Sequence, residues 1–221
     1  MHSTVKKLIN IDKQIKSKIA NLDDYNIEPK VIAVSKTFKM DHILPLIDHG
    51  HKHFGENKVQ EAVEKWSDIK KKNKDLKLHL IGKLQSNKVK FVSGLFDYIH
   101  SLDSQKLADV LAKHELSLDK KLKYFIQVNI GNEIQKSGVP INEIDSFYNY
   151  CINKAKLDVI GLMIIPPNDQ QTKKYFQSIN ELNQSLGLKE LSMGMSADYE
   201  KAIAYGATFV RLGSIIFGKR S

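Results

Sequence analysis

The spacing of apolar and polar residues predicts short buried strands that alternate with amphipathic helices along the chain. Residues 31–35 form a β-branched apolar run, which is typical of a strand buried on both faces. The helical pattern of residues 41–49 follows it, with Asp41 as the predicted N-cap. The same cycle repeats through seven further strands, predicted at residues 51–54, 77–81, 97–101, 123–129, 158–163, 190–193 and 209–212.

Helices are predicted between these strands, and an extra helix over residues 9–22 precedes the first of them. The later helices are predicted at residues 56–72, 86–92, 104–115, 142–154, 171–186 and 197–205. Alternating strands and helices indicate a parallel sheet. Eight units predict an α/β fold, a single (β/α)₈ TIM-type barrel with an extra N-terminal helix, as one domain over residues 1–221. An open, doubly wound sheet is the structural alternative.

Charge and cysteine content narrow the function classes. The 34 basic residues outnumber the 25 acidic ones and give a net charge of +9. A basic chain can bind nucleic-acid phosphates. However, the lysines are spread along the chain without a recognition motif, so we expect no specific nucleic acid. No apolar run reaches the roughly 18 residues of a membrane span. We therefore expect no membrane partner. Cys151 is the only cysteine, which fits a reduced, cytoplasmic protein.

Lys36 directly follows the first predicted strand, at the C-terminal mouth of the expected barrel, where functional residues of this fold lie. Burial there disfavours the ammonium form, lowers the pKa of the lysine and makes the neutral amine available. A neutral amine is what Schiff-base chemistry with an aldehyde requires. A lysine whose ammonium group extends to solvent is the simpler alternative.

A phosphate site is predicted after the eighth strand, where Gly213 and Ser214 open a short segment. Backbone amides at such a turn can bind an anion, and phosphate sites of barrels recur near strands seven and eight. Ser196, a predicted N-cap after the seventh strand, can add a hydroxyl group. An ordinary glycine turn followed by a helix cap would give the same pattern.

Arg211 is one of only two arginines among the 34 basic residues, the other being Arg220. It therefore indicates a place where a planar, permanently charged guanidinium matters. On its predicted strand it points either outward to a carboxylate or into the barrel. From the barrel interior it can hydrogen-bond the ring nitrogen of a ligand.

The eight histidines form no metal-binding pattern. His49, His51 and His53 alternate, but no HExxH or Cys/His spacing accompanies them, so we expect no metal. We interpret the histidines as surface or hydrogen-bonded side chains. His79, on the third predicted strand, is placed where it can face the interior.

Seven stretches, taken together and in order, resemble the pyridoxal phosphate homeostasis family, which is related to the N-terminal barrel domain of alanine racemase. They span nearly the whole chain: VIAVSKTF at 31–38, FGENKVQEA at 54–62, HLIGKLQSNKVK at 79–90, QVNIGNEIQKSGV at 127–139, GLMIIPP at 161–167, LSMGMSADYEKAIAYGAT at 191–208 and VRLGSIIFGKR at 210–220. One such stretch would be weak evidence, whereas the ordered set is highly specific.

The resemblance implies that the cofactor is pyridoxal 5′-phosphate and that Lys36 holds it through a Schiff base. It implies that Arg211 faces the pyridine nitrogen and that the amides of Gly213 and Ser214 hold the phosphate. Ser214 stands where threonine is common in the family, which changes little if the amide is the contact.

The resemblance also implies roles for other residues that follow the predicted strands. Ser196 would join the phosphate site with Met195 beside it, Asn57 would lie near the ring, and Lys136 would lie at the mouth. Lys83 replaces a histidine that is frequent in the family, which leaves the role of that position open.

The function implied is that of a cofactor-handling protein without a defined catalytic reaction. It would buffer pyridoxal phosphate inside the cell and deliver it to apo forms of the enzymes that use it, as a monomer or weak dimer. The alternative is a pyridoxal-phosphate-dependent amino-acid racemase, with Lys36 as one of two bases. The resemblance implies that a second domain supplies the other base. The chain ends eight residues after Gly213, and its tyrosines offer no obvious substitute: Tyr25, Tyr98, Tyr124 and Tyr199.

Overall fold

The computed structural model describes residues 1–22, 28–133 and 137–218. Within these residues the strands are β1 (Lys30–Val34), β2 (His53–Glu56), β3 (Lys77–Leu80), β4 (Tyr98–Leu102), β5 (Lys123–Asn129), β6 (Val139–Pro140), β7 (Asp158–Ile164), β8 (Glu190–Met195) and β9 (Phe209–Leu212). The α-helices are α1 (Ser3–Ala20), α2 (Met40–Asp48), α3 (Val59–Lys72), α4 (Gln105–Leu118), α5 (Ile144–Asn153), α6 (Thr172–Ser185), α7 (Tyr199–Ala204) and α8 (Ser214–Phe217).

Eight of the strands pair in parallel and close into a barrel, in the order β1, β2, β3, β4, β5, β7, β8, β9 and back to β1. Two contacts achieve closure: β4 pairs with β5 through Ile99 and Tyr124, and β9 pairs with β1. The two-residue β6 pairs with the C-terminal end of β5. The predicted (β/α)₈ barrel is therefore confirmed, and the open-sheet alternative is wrong.

The core has an outer and an inner layer. The outer layer lies between the strands and the surrounding helices, and α1 contributes the buried side chains of Leu8, Ile11 and Ile15 to it. This extra helix packs against α2, α7 and α8. The inner layer contains apolar residues that point into the barrel, namely Ile32, Val34, Phe125, Met163 and Phe209. None of the helices in the described part of the chain is both long and apolar enough to cross a bilayer.

Several local predictions were wrong. Asp41 is not an N-cap: Lys39 takes that position with an extended backbone, and Asp41 lies in the first turn of α2. A carboxylate there still interacts favourably with the positive end of the helix dipole. Residues Ser86–Phe91 form a 3₁₀ helix with one buried side chain, Val89, so packing does not enforce an α-helix. The helix predicted from residue 56 begins at Val59, since Glu56 continues β2.

Gly161 on β7 is a position where the barrel tolerates no side chain. A Cβ atom built there would collide with the carbonyl of Glu190 on β8 and touch the ring of Phe125. We expect Gly161→Ala to lower the free energy of unfolding by about 3 kcal/mol, because the strands must separate to admit the methyl group. Urea denaturation followed by circular dichroism measures this change.

Gly94 provides the matched control, because a Cβ atom built there meets no heavy atom within 4 Å. Gly94→Ala should change the free energy of unfolding by no more than about 0.5 kcal/mol. Equal stabilities of the two variants would contradict the tight β7–β8 contact.

Candidate functional site

A cavity of about 410 Å³ opens at the C-terminal ends of the barrel strands. This is the end at which (β/α)₈ barrels carry their functional residues. Seven residues that the sequence analysis singled out line it: Lys36, Asn57, Met195, Ser196, Arg211, Gly213 and Ser214. Apolar walls are supplied by Val34, Phe38, Ile81 and Ile165. A mainly apolar pocket of this size with a few polar groups is typical of a small-molecule site.

The turn that carries Lys36 is held by a buried ionic network on the outer face of the barrel. Glu56 is fully buried, and its Oε1 accepts hydrogen bonds from Ser35 Oγ at 2.7 Å and Trp66 Nε1 at 2.9 Å. The Lys65 ammonium donates to the same oxygen at 3.0 Å and to the Ser35 carbonyl at 3.0 Å. Side chains alternate between the two faces of a strand, so fixing Ser35 outside the barrel directs Lys36 towards the inside.

Thr37, on the other side of Lys36, has a left-handed backbone with φ of 68°. This conformation is uncommon for a β-branched residue and needs support from its surroundings. The Thr37 amide donates to Glu61 Oε1 at 2.6 Å, and the same oxygen accepts from Lys65 at 2.9 Å. Burial alone raises the pKa of Glu61, but this amide and this ammonium outweigh it and lower the pKa. Both neighbours of Lys36 are therefore tied to α3.

Arg211 is buried on β9, with 4% of its surface exposed, and reaches the cavity from inside the barrel. Its Nη1 donates to Ser192 Oγ at 2.7 Å, and its Nη2 donates to the Ile164 carbonyl at 2.8 Å. Burial lowers the pKa of Arg211 to about 10, although the negative charge of Asp198 raises it in part. The guanidinium therefore stays protonated at neutral pH. Both acceptors are neutral oxygens, so these hydrogen bonds orient the cation without cancelling its charge.

A chain of hydrogen-bonded histidines runs through the barrel behind Ser192. Ser192 Oγ lies 2.9 Å from Nδ1 of His100, and Nε2 of His100 lies 2.9 Å from Nδ1 of His79. Nε2 of His79 lies 2.9 Å from Nδ1 of His53. His79 and His100 are fully buried, and burial lowers the pKa of both well below 6.5. Uncharged imidazoles thus occupy an interior that barrels usually fill with branched aliphatic side chains.

The turns after β8 and β9 are coupled to each other. Gly194 has φ of 88°, and a side chain there would meet α7. The Met195 amide donates to Asp198 Oδ1 at 2.7 Å, and the Ile215 amide approaches Ser196 Oγ at 3.5 Å. The first amides of a helix have no carbonyl one turn earlier to bond. The start of α8 therefore presents N–H groups at the cavity beside the Ser196 hydroxyl.

Asn57 supplies a polar atom whose hydrogen-bonding capacity is unused. Its Oδ1 is buried and has no hydrogen-bond partner among the described residues. A buried acceptor without a partner is unfavourable, so the cavity suits a ligand that brings a donor to this wall. Together the walls offer an amine, a permanent cation, helix amides and an acceptor.

Two other lysines from the sequence analysis lie elsewhere. Lys83 lines an adjoining cavity, which shares Asn57, Ile81 and Ile165 with the first one. Lys136 lies outside the described residues. No group of three or more His, Cys, Asp or Glu side chains that could hold a metal occurs within residues 1–22, 28–133 and 137–218.

The sequence analysis missed the residues that support Lys36 and Arg211. Glu56 and Lys65 were read as parts of a helix, and Ser192 and His100 were not singled out. The alternation of side chains along strands was the available signal, because it puts His100 on the inward face with Tyr98, and Ser192 on the face opposite to Leu191 and Met193, which pack in the outer layer. The sequence alone could not show that these strands place them beside each other.

Comparison with known proteins gives consistent results. The family model described as alanine racemase, N-terminal domain, matches residues 11–221. A pyridoxal phosphate homeostasis protein from Aquifex aeolicus is 39% identical over 200 residues, covering 86% of this chain and 87% of the relative. Another from Escherichia coli is 37% identical over 202 residues, covering 87% of this chain and 86% of the relative.

Solved structures agree with the barrel. PipY from Synechococcus elongatus, solved with PLP bound, is 32% identical with a TM-score of 0.85. The match covers 97% of this chain and 100% of that chain. Alanine racemase from Bartonella henselae, solved with covalently bound pyridoxal phosphate, is 15% identical with a TM-score of 0.71, covering 98% of this chain and 63% of that chain. At this identity the racemase shares the fold alone.

The ionic network around Lys65 generates a stability prediction. Lys65→Met removes the cation from Glu56, whose side chain is 0% exposed. Leaving a buried carboxylate unpaired should lower the free energy of unfolding by about 3 kcal/mol. Lys71→Met on the same helix is the matched control, because the Lys71–Asp68 pair is 76% and 86% exposed. That control should cost no more than about 0.5 kcal/mol. Equal losses in urea denaturation would refute a structural role for the buried pair.

Two partly buried histidines, His51 and His53, generate a pH prediction. Burial lowers the pKa of His51 and His53 from 6.5 to about 4, so between these values the unfolded chain binds more protons than the folded one. The free energy of unfolding should therefore fall as the pH drops from 6.5 towards 4 and level off above 6.5. Urea denaturation at a series of pH values tests this. A stability that stays constant across the window would show that the histidines are accessible to protons in the folded state.

Proposed function

The chain belongs to the pyridoxal phosphate homeostasis protein family, and we propose that it binds pyridoxal 5′-phosphate in the cavity at the C-terminal ends of its strands. The protein buffers this cofactor in the cytoplasm and delivers it, without a defined catalytic reaction. The juxtaposition of Lys36 and Arg211 in one cavity supports this proposal most directly. On this view residues 1–221 form one cofactor-binding domain.

The groups in the cavity wall fit the chemistry of this cofactor. When bound, pyridoxal phosphate supplies an electrophilic aldehyde that a primary amine can trap. Lys36 is the primary amine in the wall, and we assign to its Nζ the Schiff base with that aldehyde. The network on α3 holds the backbone on both sides of Lys36 and so limits where its amine can reach.

With the cofactor bound, Arg211 would donate to the ring nitrogen. A guanidinium keeps its proton in a protein, so it can bond this nitrogen as a donor but does not protonate it. A pyridine nitrogen that stays unprotonated withdraws electrons less strongly. The residue therefore favours holding the cofactor over carbanion chemistry, which suits a protein that stores a reactive aldehyde.

The phosphate group is assigned to the turns after β8 and β9. The amides of Gly213 and Ser214 lie at the start of α8, and the Ser196 hydroxyl lies beside them. Fixed N–H groups bind an anion without changing conformation. Met195 covers the neighbouring wall, and Asn57 offers its unpaired Oδ1 to a donor on the ring.

A racemase activity is the alternative, and the match to the alanine racemase domain favours testing it. Racemisation needs a base on each face of the substrate carbon. Among the described residues of the cavity wall, Lys36 is the one side chain that can act as a base. Tyr98 stacks on His79 inside the barrel, and Tyr124 donates to Glu115. These contacts favour a binding protein over a racemase. The proposed protein hands the cofactor to apo enzymes, as a monomer or weak dimer.

Absorbance spectra of the purified protein with added pyridoxal phosphate test the proposal. The wild type should show a visible imine band, and borohydride reduction followed by peptide mass mapping should place one pyridoxyl adduct on Lys36. Lys36→Ala should lose both the band and the adduct. Lys39→Ala is the matched control: it removes an exposed lysine three positions away and should leave both unchanged.

A wild type that shows no band with excess cofactor would refute the binding proposal. An adduct on a different lysine would refute the assignment to Lys36. Incubation of the loaded protein with L-alanine, followed by chiral chromatography, decides between carrier and racemase. Appearance of D-alanine in the wild type but not in Lys36→Ala would establish the enzyme.

A further inference from the structure

We propose that Ser192 and His100, with His79 behind them, are positioning residues for Arg211. The hydrogen-bonded chain that they form is neutral, and each member donates to the next one in the direction of His53. This inference deepens the proposed function, because Arg211 is the residue assigned to the cofactor ring. The chain joins four strands, β2, β3, β4 and β8, to Arg211 on β9.

The number of available protons sets the direction of the chain. Arg211 has only donors, so Ser192 Oγ must accept its hydrogen bond at 2.7 Å. The Ser192 hydroxyl then has one proton to give, and Nδ1 of His100 lies 2.9 Å away. A neutral His100 that accepts at Nδ1 carries its proton on Nε2 and donates to Nδ1 of His79.

The same rule continues along the chain. His79 accepts at Nδ1, so it carries its proton on Nε2 and donates to Nδ1 of His53 at 2.9 Å. The opposite direction would make Ser192 accept from both Arg211 and His100 and would leave its hydroxyl proton without a partner among the described residues. For the buried groups Ser192, His100 and His79, only the first arrangement uses every donor and acceptor, and buried polar groups are nearly always satisfied.

Aromatic stacking fixes the imidazole rings in these orientations. The His79 ring stacks on Tyr98 with centroids 4.3 Å apart, and the His100 ring stacks on Phe125 at 4.2 Å. Rings clamped in this way keep their nitrogen atoms in place, because turning them would disrupt the packed interior. The acceptor offered to Arg211 therefore stays in one place.

The neutral hydrogen-bonded chain orients Arg211 without cancelling its charge, which a carboxylate could not do. A contacting carboxylate would hold the guanidinium equally well, but it would also neutralise the charge that faces the ligand. Hydrogen bonds to the Ser192 hydroxyl and the Ile164 carbonyl orient the group and leave the charge intact. We therefore assign to Ser192 and His100 an effect on how the bound ring is held, in addition to their effect on folding.

Nitrogen-15 NMR of histidine-labelled protein without cofactor tests the direction of the chain. His79 and His100 should each show a protonated Nε2 and an unprotonated Nδ1, and they should remain so from pH 6 to pH 9. Resonances are assigned by substituting each histidine in turn. Protonated Nδ1 atoms, or doubly protonated rings in this range, would overturn the proposed arrangement.

Substitutions at Ser192 and His100 test the effect on the cofactor. Ser192→Ala removes one of the two hydrogen-bond acceptors of the buried Arg211 guanidinium. The dissociation constant of pyridoxal phosphate should therefore rise about tenfold. The pH at which the visible band changes should shift as well, because Arg211 no longer holds one position at the ring. His100→Leu should show the same two changes, whereas His100→Asn, which keeps an acceptor for Ser192, should restore most of the wild-type behaviour.

Ser93→Ala is the matched control, since Ser93 is fully buried and its hydroxyl has no partner among the described residues. It should leave both the affinity and the pH profile of the band unchanged. Thermal denaturation without cofactor shows which variants have lost stability. Wild-type affinity and pH profile in Ser192→Ala would overturn the inference while the proposed function stands. Absence of cofactor binding in the wild type would instead refute the proposed function, and the NMR result would still decide the direction of the chain.

Discussion

The parallel pairing of β1 with β9 joins the first strand of the chain to the last, and the cavity depends on this contact. Its register places Ile32 beside Arg211 and Ala33 beside Leu212. The turn after β1 and the turn after β9 therefore end next to each other. Lys36 and Gly213 meet at one cavity even though nearly the whole chain separates them in sequence. Closure of the barrel is thus the condition for the site.

The two faces of the sheet hold the two main groups of the site in different ways. On the outer face, charged groups of Glu56 and Lys65 clamp the backbone beside Lys36. On the inner face, neutral imidazoles and a hydroxyl orient Arg211. The strand β2 serves both networks, because His53 points inward and Glu56 points outward. Charge is therefore paired on the outer face of the barrel, whereas the guanidinium that lines the cavity has neutral hydrogen-bond acceptors.

This division fits the proposed role of the barrel in storing the cofactor. One side chain able to act as a base faces the cavity in the described residues, and the guanidinium in the cavity wall cannot transfer its proton. Such a site can bind an aldehyde with its amine and a phosphate with its amides, without the paired bases that racemisation needs.

The sequence by itself determined the alternation of strands and helices, and so the barrel, because buried strands must be apolar on both faces and each is followed by an amphipathic helix. It also placed the residues that now line the cavity, since each lies on or shortly after a strand and the strand ends gather at one mouth. Only the tertiary structure decided which polar residues support them. Glu56, Lys65, Ser192 and His100 come from separate elements, and their hydrogen bonds depend on strand register and side-chain direction, which no local pattern records. The same reason explains the errors at Asp41 and at residues 86–92, where packing decided the boundary and type of a short helix.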